Sequence, residues 1–219
     1  MIAKADGVKE LQEVGRYLMN YELAWGNAGN ISIRTAPDRY LISASGTYLG
    51  ELADDDLVEV DLGGKPVDPM GKKPSKEMPM HEAVYQTRPE INAVLHASPF
   101  HSTLIACADV DPPGDLFVET MYYLERTARV PYCHPGSREL GEAVREQASK
   151  ANVLLLENHG ILVYDTSVRE ARMSLHTLEM ACRMVITARS AGIPLQPLTA
   201  ETVQDFMASS GYKPVREWP

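Results

Sequence analysis

The sequence contains two short apolar runs, NAVLH at residues 92–96 and NVLLLENHG at residues 152–160, and each carries a histidine at its downstream end. Runs of this length are typical of buried β-strands. If the two strands are neighbours in one sheet, His96 and His159 emerge at the same edge of that sheet, where ligands usually bind. A lone carboxylate, Glu77, opens a helix-like segment over residues 74–86. The pattern predicts a metal site beside a general base.

Length, composition and charge restrict the class of protein. The 219 residues are 44% hydrophobic and show no break in composition, which predicts a single domain over residues 1–219. The net charge of −9 argues against nucleic acid or an anionic membrane as a partner, because a negative surface repels both. No apolar stretch approaches the roughly 20 residues of a membrane span and residues 1–10 contain no signal-peptide core, so we expect a cytoplasmic protein. The three cysteines are widely spaced and suggest neither a disulfide framework nor a CxxC zinc site.

Apolar periodicity and turn-forming residues predict an α/β fold. The first third is expected to be a helix followed by an antiparallel meander, and the second half to alternate strands with helices. The clearest helix is 167–190, which Ser167 caps and Gly192 ends. The tail at about 210–219 is too short to fold alone, and we expect it to reach a neighbouring subunit. The other predicted helices are 8–24, one after Pro74, 101–108, 138–149 and 200–208, and the predicted strands are 31–34, 40–43, 57–60, 94–96, one near Pro131 and 152–157.

The segment KPSKE at residues 73–77 is the densest functional signal. Ser75 is a good N-cap, and the unpaired backbone N–H groups that follow a cap favour an anion at the helix start. Lys73 and Lys76 add positive charge at that point. The alternative is a capped surface helix with solvated lysines. Small polar loop residues that could donate to the same phosphate or carboxylate are Gly29, Asn30, Ser45 and Gly46.

Glu77 and the two histidines each have a structural and a functional interpretation. The helix dipole alone favours a carboxylate in a first helical turn, but Glu77 beside a divalent cation could remove a proton from an acid that the cation polarises. His96 and His159 could be core histidines, yet paired imidazoles also suit zinc, which takes three protein ligands in catalytic sites. Ser98 and His101 are the candidates for the third ligand.

Five short blocks resemble the class II aldolase and adducin head-domain family, and they run in that family's order along most of the chain. The blocks are GNISIR at 29–34, ISASG at 42–46, KPSKE at 73–77, RPEINAVLH at 88–96 and NHG at 158–160. The resemblance implies a three-layer α/β/α fold around a largely antiparallel sheet. It also implies assembly as a homotetramer with active sites between subunits.

The resemblance assigns roles to individual residues. Glu77 matches the acid/base residue of the family, and His96 and His159 match zinc ligands. The family's catalytic tyrosine corresponds to Tyr122 or Tyr123, and the sequence does not choose between them. Matches to phosphate-binding positions are Asn30, Ser45, Gly46 and Ser75.

Two positions depart from the family pattern. Ser98 stands where the family has the second histidine of a His-x-His pair, and a hydroxyl binds zinc poorly. Either His101 replaces that ligand, or Glu77 joins the coordination sphere, or the site holds metal weakly. Lys76 stands where the sugar-phosphate aldolases have serine, which keeps an anion site but could move its preference from phosphate toward carboxylate.

The resemblance implies a metal-dependent aldolase-type lyase that cleaves a carbon–carbon bond of a small ketose phosphate or hydroxy-keto acid through a metal-stabilised enediolate. The cofactor would be a divalent metal, with zinc the first candidate. Glutamate at position 77 favours the aldolases, because the epimerase branch has aspartate there. The alternatives are a non-catalytic adducin-like binding or assembly domain, motivated by Ser98, and a decarboxylase, dehydratase or epimerase with the same layout.

Overall fold

The computed structural model describes residues 2–214 together with Arg216 and Trp218. Its helices are α1 (Lys4–Asn20), α2 (Met78–Thr87), α3 (Phe100–Ala106), α4 (Val118–Tyr123), α5 (Arg138–Ala148), α6 (Val168–Ala191) and α7 (Ala200–Ser209). Its strands are β1 (Asn30–Ala36), β2 (Arg39–Ser43), β3 (Leu57–Asp61), β4 (Ala93–Ala97), β5 (Thr127–Val130), β6 (Val153–Leu156) and β7 (Gly160–Asp165). Within the described residues these strands form one sheet in the order β3-β2-β1-β4-β7-β6-β5. The pair β5–β6 is parallel and the other pairs are antiparallel.

Alternation of side chains along the strands divides the apolar core between the two faces of the sheet. On β4, Leu95 belongs to the core on one face and Val94 to the core on the other. Residues of α1, α3 and α6 cover the first face, and residues of α2 and α5 cover the second. The three-layer α/β/α fold with a largely antiparallel sheet is therefore confirmed.

The antiparallel meander of the first third is also confirmed, because β1 pairs with β2 and β2 with β3. The helix before it ends earlier than the predicted 8–24. The chain leaves α1 after Asn20 and turns at Glu22, whose φ of 56° lies in the left-handed region. Leu23 is still fully buried, so its apolar character reflects packing of the turn rather than a further helical turn.

The two apolar runs that carry His96 and His159 are not neighbouring strands, contrary to expectation. β7 lies between β4 and β6 and pairs antiparallel with both. The sequence pattern does not predict this strand, and it also breaks the expected alternation, because β6 and β7 form a hairpin. Residues 157–159 are the connection of that hairpin, and Asn158 adopts a left-handed φ of 55°. His159 is therefore a turn residue, whereas His96 lies within β4.

Helix α2 begins later than the expected cap at Ser75. Glu77 is the residue at the N-cap position, with φ −88° and ψ 9°, and Pro79 lies in the first turn, where a missing N–H is tolerated. The Ser75 hydroxyl accepts a hydrogen bond of 3.2 Å from the backbone N–H of Glu77. Ser75 thus stabilises the turn that presents Glu77, rather than the helix itself.

The later helices follow the predictions closely. The Ser167 side chain accepts a hydrogen bond from the backbone N–H of Glu170 at the start of α6, and Gly192 ends that helix with a left-handed φ of 66°. Helix α4 was not expected from the sequence. In the part of the chain that the structure describes, no helix is both long enough and apolar enough to cross a membrane.

The described residues of the C-terminal tail contact their own chain. Lys213 forms an ion pair of 2.8 Å with Glu170, and Arg216 forms one of 2.6 Å with Asp165. Their role at a subunit interface stays a prediction.

Gly160 tests the close packing of the β6–β7 hairpin on β4. A Cβ atom there would lie 2.8 Å from the carbonyl oxygen of Ala97, which is backbone and yields little. We predict that Gly160→Ala lowers the free energy of unfolding by about 1–3 kcal/mol in chemical denaturation. Gly63→Ala is the matched control, because its Cβ would meet its nearest neighbour at an ordinary 3.4 Å. Equal stability of the two variants would contradict the packing.

Candidate functional site

The side chains of Glu77, His96 and His159 meet beside the end of β4. Glu77 Oε1 lies 3.0 Å from His159 Nε2, and Glu77 Oε2 lies 3.3 Å from His96 Nε2. The two imidazole rings have centroids 4.8 Å apart and are inclined by 67°. One nitrogen or oxygen atom from each residue lies within 4.8 Å of the others. The convergence inferred from the sequence is therefore present, although the strands that produce it are arranged differently.

Strand periodicity determines which face of the sheet carries the site. His96 is two residues beyond Val94, so both side chains leave β4 on the face that α2 and α5 cover. Its neighbour across the β1–β4 ladder is Asn30. The preceding residue, Gly29, has a φ of 95°, and a Cβ there would lie 2.7 Å from the carbonyl oxygen of His96. Glycine is required where the loop before β1 closes over β4.

The hydrogen bond of His96 determines which of its nitrogens is free. Nδ1 lies 3.0 Å from the carbonyl oxygen of Ile161 and donates its hydrogen to it, because a carbonyl is only an acceptor. In the neutral ring the lone pair is then on Nε2, which faces the carboxylate of Glu77. Two electron-rich atoms at this separation require a proton or a cation between them. An imidazole oriented in this way by a backbone carbonyl is the usual arrangement of a metal-ligating histidine.

The electrostatics of Glu77 fit the same interpretation. Burial raises the pKa of its carboxyl, but the contacts with His159 and His96 more than offset this and hold the pKa well below its usual range. Glu77 Oε1 and His159 Nδ1 are buried and have no hydrogen-bond partner among the described residues. One carboxylate and two imidazoles are a donor set that suits a divalent transition metal. The residues present fit such an ion.

A cleft of about 360 Å³ opens next to this cluster and collects the residues predicted to bind an anion. Its lining includes Gly29, Asn30, Ser45, Gly46, Ser75 and Lys76, together with Glu77, His96 and His159. The start of α2 also borders the cleft, so the positive end of a helix dipole lies near it. The residues predicted to bind an anion therefore line the same cleft as Glu77 and both imidazoles.

Trp25 is a cleft residue that the sequence did not indicate. Its side chain is 65% exposed, and its Nε1 donates a hydrogen bond of 3.1 Å to the backbone carbonyl of Ser98. The only available signal is an aromatic residue next to a glycine-rich loop, which is not specific. Ser98 also lines the cleft, and its hydroxyl would be 2.9 Å from a Cβ at position 160.

Tyr122 and Tyr123 do not reach the cleft of their own chain. The Tyr122 hydroxyl donates to the backbone carbonyl of Pro214, and the Tyr123 hydroxyl donates to Glu170 at 2.9 Å. Burial raises the pKa of Tyr123 to about 12. Their catalytic role remains a prediction and requires the cleft of a neighbouring subunit.

His101 is not part of the Glu77–His96–His159 cluster. It lies in α3, and its Nδ1 is 2.7 Å from Glu179 of α6. Glu179 also accepts hydrogen bonds from the backbone N–H groups of His101 and Ser102. The carboxylate therefore closes the open start of α3, and this contact holds the imidazole of His101 toward α6 instead of toward His96.

Comparisons with known proteins find relatives that match most of the chain. A model of the class II aldolase and adducin N-terminal domain matches residues 9–186. The chain is 32% identical over 203 residues to a 3-oxo-tetronate 4-phosphate decarboxylase of Haemophilus influenzae. The alignment covers 90% of this chain and 95% of that protein. The chain is 30% identical over 178 residues to an L-fuculose phosphate aldolase of Methanococcus vannielii, covering 81% and 94%. The crystal structure of YgbL from Klebsiella pneumoniae superimposes with a TM-score of 0.84 at 31% identity, covering 94% and 99%.

The metal affinities of alanine variants distinguish the role of His96 and His159 from that of His101. We predict that the protein takes up one equivalent of a divalent transition metal, and that His96→Ala or His159→Ala weakens the affinity by about 100-fold or more, because each removes one of few ligands. His101→Ala should leave the affinity unchanged. Isothermal titration with zinc, cobalt and manganese measures this. Weakening by His101→Ala equal to that of His159→Ala would contradict the assignment.

Ser98 provides a gain-of-binding test at the same place. Ser98→His should raise metal affinity, because an imidazole replaces a hydroxyl beside His96 and the cleft remains open to receive it. The same titration with the variant measures the change. Unchanged affinity would mean that the backbone at position 98 does not direct its side chain toward the cluster.

Proposed function

The chain belongs to the class II aldolase and adducin N-terminal domain family, and we propose that it is a metal-dependent carbon–carbon lyase acting on a small phosphorylated hydroxy-keto acid. The observation that carries the proposal is the Glu77 carboxylate between two imidazoles, at the base of a cleft suited to anions. A scaffold that had lost its chemistry would have little reason to retain this costly cluster, because unpaired buried polar groups are destabilising. This argues against the non-catalytic alternative.

Glu77, His96 and His159 would hold the divalent metal. When bound, the ion would act as a Lewis acid that polarises a carbonyl oxygen and a neighbouring hydroxyl oxygen of the substrate. The hydrogen bond from His96 Nδ1 to the carbonyl of Ile161 keeps that ring in its ligating orientation. Zinc is the first candidate, because imidazole nitrogen and carboxylate oxygen are common ligands for it.

The cleft residues would bind the phosphate. Small polar residues and the start of α2 surround the space, and Lys76 supplies a positive charge that suits a dianion. Binding energy from this remote group orients the reacting carbons against Glu77. The loop glycines Gly29 and Gly46 keep the backbone close to the ligand, because both have φ values in the left-handed region.

Glu77 would handle the proton. Its carboxyl is ionised, because the pKa is held low, so it delivers a proton only after accepting one. Decarboxylation of a 3-oxo acid breaks the bond to the carboxylate carbon, releases carbon dioxide and leaves an enediolate. That enediolate takes up one proton at carbon, and the proton comes from Glu77 after Glu77 has been protonated by solvent. A retro-aldol cleavage leaves the same kind of enediolate, but another group must first remove the proton of the β-hydroxyl.

This difference favours decarboxylation as the first candidate reaction. A single proton-transfer residue suffices for it, and the cleft of one chain contains Glu77. The relative from Haemophilus influenzae, matched over nearly its whole length, acts on a 3-oxo acid phosphate by its name. Aldol cleavage is the second candidate, supported by the similarity to L-fuculose phosphate aldolases. It would use Tyr122 or Tyr123 of a neighbouring subunit, in the homotetramer that we propose as the assembly.

Glu77→Gln tests the assigned role. We predict that kcat falls by about 100-fold or more, because the amide cannot accept and return a proton, while the phosphate contacts are retained. Glu142→Gln on the exposed side of α5 is the matched control and should leave kcat unchanged. Activity of Glu77→Gln equal to that of the control would exclude Glu77 as the proton-transfer residue.

Product analysis distinguishes the two reactions. We predict that a 3-oxo-tetronate 4-phosphate incubated with the metal-loaded protein yields carbon dioxide and a triose phosphate, and that a chelator abolishes this turnover. Ketose 1-phosphates serve as parallel substrates, because their cleavage yields an aldehyde and no carbon dioxide. Aldehyde formation without any carbon dioxide would favour the aldolase. Turnover that is insensitive to the chelator would contradict a metal-dependent reaction of either kind.

A further inference from the structure

A buried chain of hydrogen bonds leads from the core to the acid/base residue. The Tyr85 hydroxyl lies 2.8 Å from Ser32 Oγ, and Ser32 Oγ lies 2.7 Å from His81 Nδ1. On the other side of the ring, His81 Nε2 lies 2.6 Å from Asn30 Oδ1. The amide Nδ2 of Asn30 then donates a hydrogen bond of 2.7 Å to Glu77 Oε2. His81 is fully buried, and the proposed reaction assigns it no role.

Each proton in this chain has one allowed position. An oxygen of Glu77 accepts a hydrogen bond from Asn30 Nδ2, so the Asn30 amide presents its nitrogen to Glu77 and its oxygen to His81. The Asn30 oxygen also only accepts, so His81 must carry its hydrogen on Nε2. Burial is the largest cause that lowers the pKa of His81 to about 3, and the proximity of His96 adds to it in the same direction against the opposing effect of Glu77, so the ring is neutral and its Nδ1 accepts.

The upstream hydroxyls follow the same rule. The Ser32 hydroxyl donates its one hydrogen to His81 Nδ1. It can therefore only accept from Tyr85, so the Tyr85 hydroxyl is the donor of that hydrogen bond. All four hydrogen bonds point the same way, from Tyr85 toward Glu77. An asparagine side chain is ordinarily able to exchange its oxygen and nitrogen by rotation, but here such a rotation would place oxygen against carboxylate and N–H against N–H.

We propose that His81 is a positioning residue that locks the amide of Asn30, so that one N–H holds Glu77 and the other is presented to the anion of the substrate. Asn30 lines the cleft, and among the described residues Glu77 is the acceptor of its Nδ2. The locked amide thereby fixes the distance between the bound anion and the acid/base carboxylate. The kinetic consequence rests on the proposed lyase function, whereas the proton positions do not.

Nitrogen NMR of the metal-free protein tests the proton positions without reference to activity. With ¹⁵N-labelled histidine and asparagine, His81 should show the neutral Nε2–H tautomer throughout about pH 5 to 8. Ser32→Ala should shift the Asn30 side-chain amide signals. Tyr40→Phe is the control, because the Tyr40 hydroxyl is buried beside Tyr85 but has no hydrogen-bond partner among the described residues. A His81 imidazolium, an Nδ1–H tautomer or unmoved Asn30 signals in Ser32→Ala would overturn the proposal.

Kinetics test the positioning role. His81→Leu removes the donor to Asn30 and should lower kcat and raise KM, reducing kcat/KM by about 10–100-fold. His81→Gln keeps an N–H donor near the position of Nε2 and should recover at least part of that loss, although both variants change the packing around the same buried site. Tyr85→Phe, which leaves the ring in place, should reduce kcat/KM more than Tyr40→Phe does. Equal kcat/KM in the Leu and Gln variants, or in the two phenylalanine variants, would overturn the positioning role.

The NMR and the kinetic measurements together distinguish failure of this inference from failure of the proposed function. If Glu77→Gln abolishes turnover but His81 shows another tautomer, the lyase stands and the positioning role falls. If the NMR signature is found but neither candidate substrate is turned over, the proton positions stand and the proposed reaction falls.

Discussion

The contact between the Glu77 carboxylate and the imidazoles of His96 and His159 is the constraint on which the rest of the site depends. A carboxylate and two imidazoles are brought together in a buried place, where electrostatic interactions are little screened. Such a cluster is unfavourable for folding unless a proton or a cation lies between the atoms. Apolar side chains at the same three positions would give a more stable protein. The presence of the cluster therefore favours the proposed catalytic role of these side chains over a purely structural one.

Three different parts of the fold hold the side chains of this cluster together. His96 is anchored within β4, in the centre of the sheet, and its ring is tied to the carbonyl of Ile161 on β7. Glu77 is fixed because a helix starts at that residue, and His159 because the β6–β7 hairpin turns there. The proposed metal centre is thus preorganised by the same contacts that build the fold.

The residues of the site were more predictable than the path of the chain between them. Glu77, His96, His159 and the loop residues of the cleft stand in short ordered blocks, so the sequence alone reveals them. Strand β7 escaped prediction because its apolar run follows NHG closely, and a left-handed residue such as Asn158 makes a tight hairpin without the usual Asn-Gly pair. The position of His101 could not be predicted, because its hydrogen-bond partner, Glu179, lies 78 positions away along the chain. The hydrogen bond between His81 and Asn30 spans 51 positions, and no local pattern signals it.

The two oxygens of Glu77 have different surroundings, and this difference bears on how one carboxylate can serve both a metal and a proton. Oε2 accepts the amide hydrogen of Asn30, whereas Oε1 is buried beside His159 without a hydrogen-bond partner among the described residues. Oε1 is therefore the oxygen free to ligate a cation or to take a proton. Because Ser98 contributes only a hydroxyl, a metal bound at the proposed site would depend on Glu77 as one of three clustered ligands. A carboxylate that is held by one oxygen can exchange its partner at the other oxygen without leaving the site, so one side chain would be able to fulfil both proposed roles.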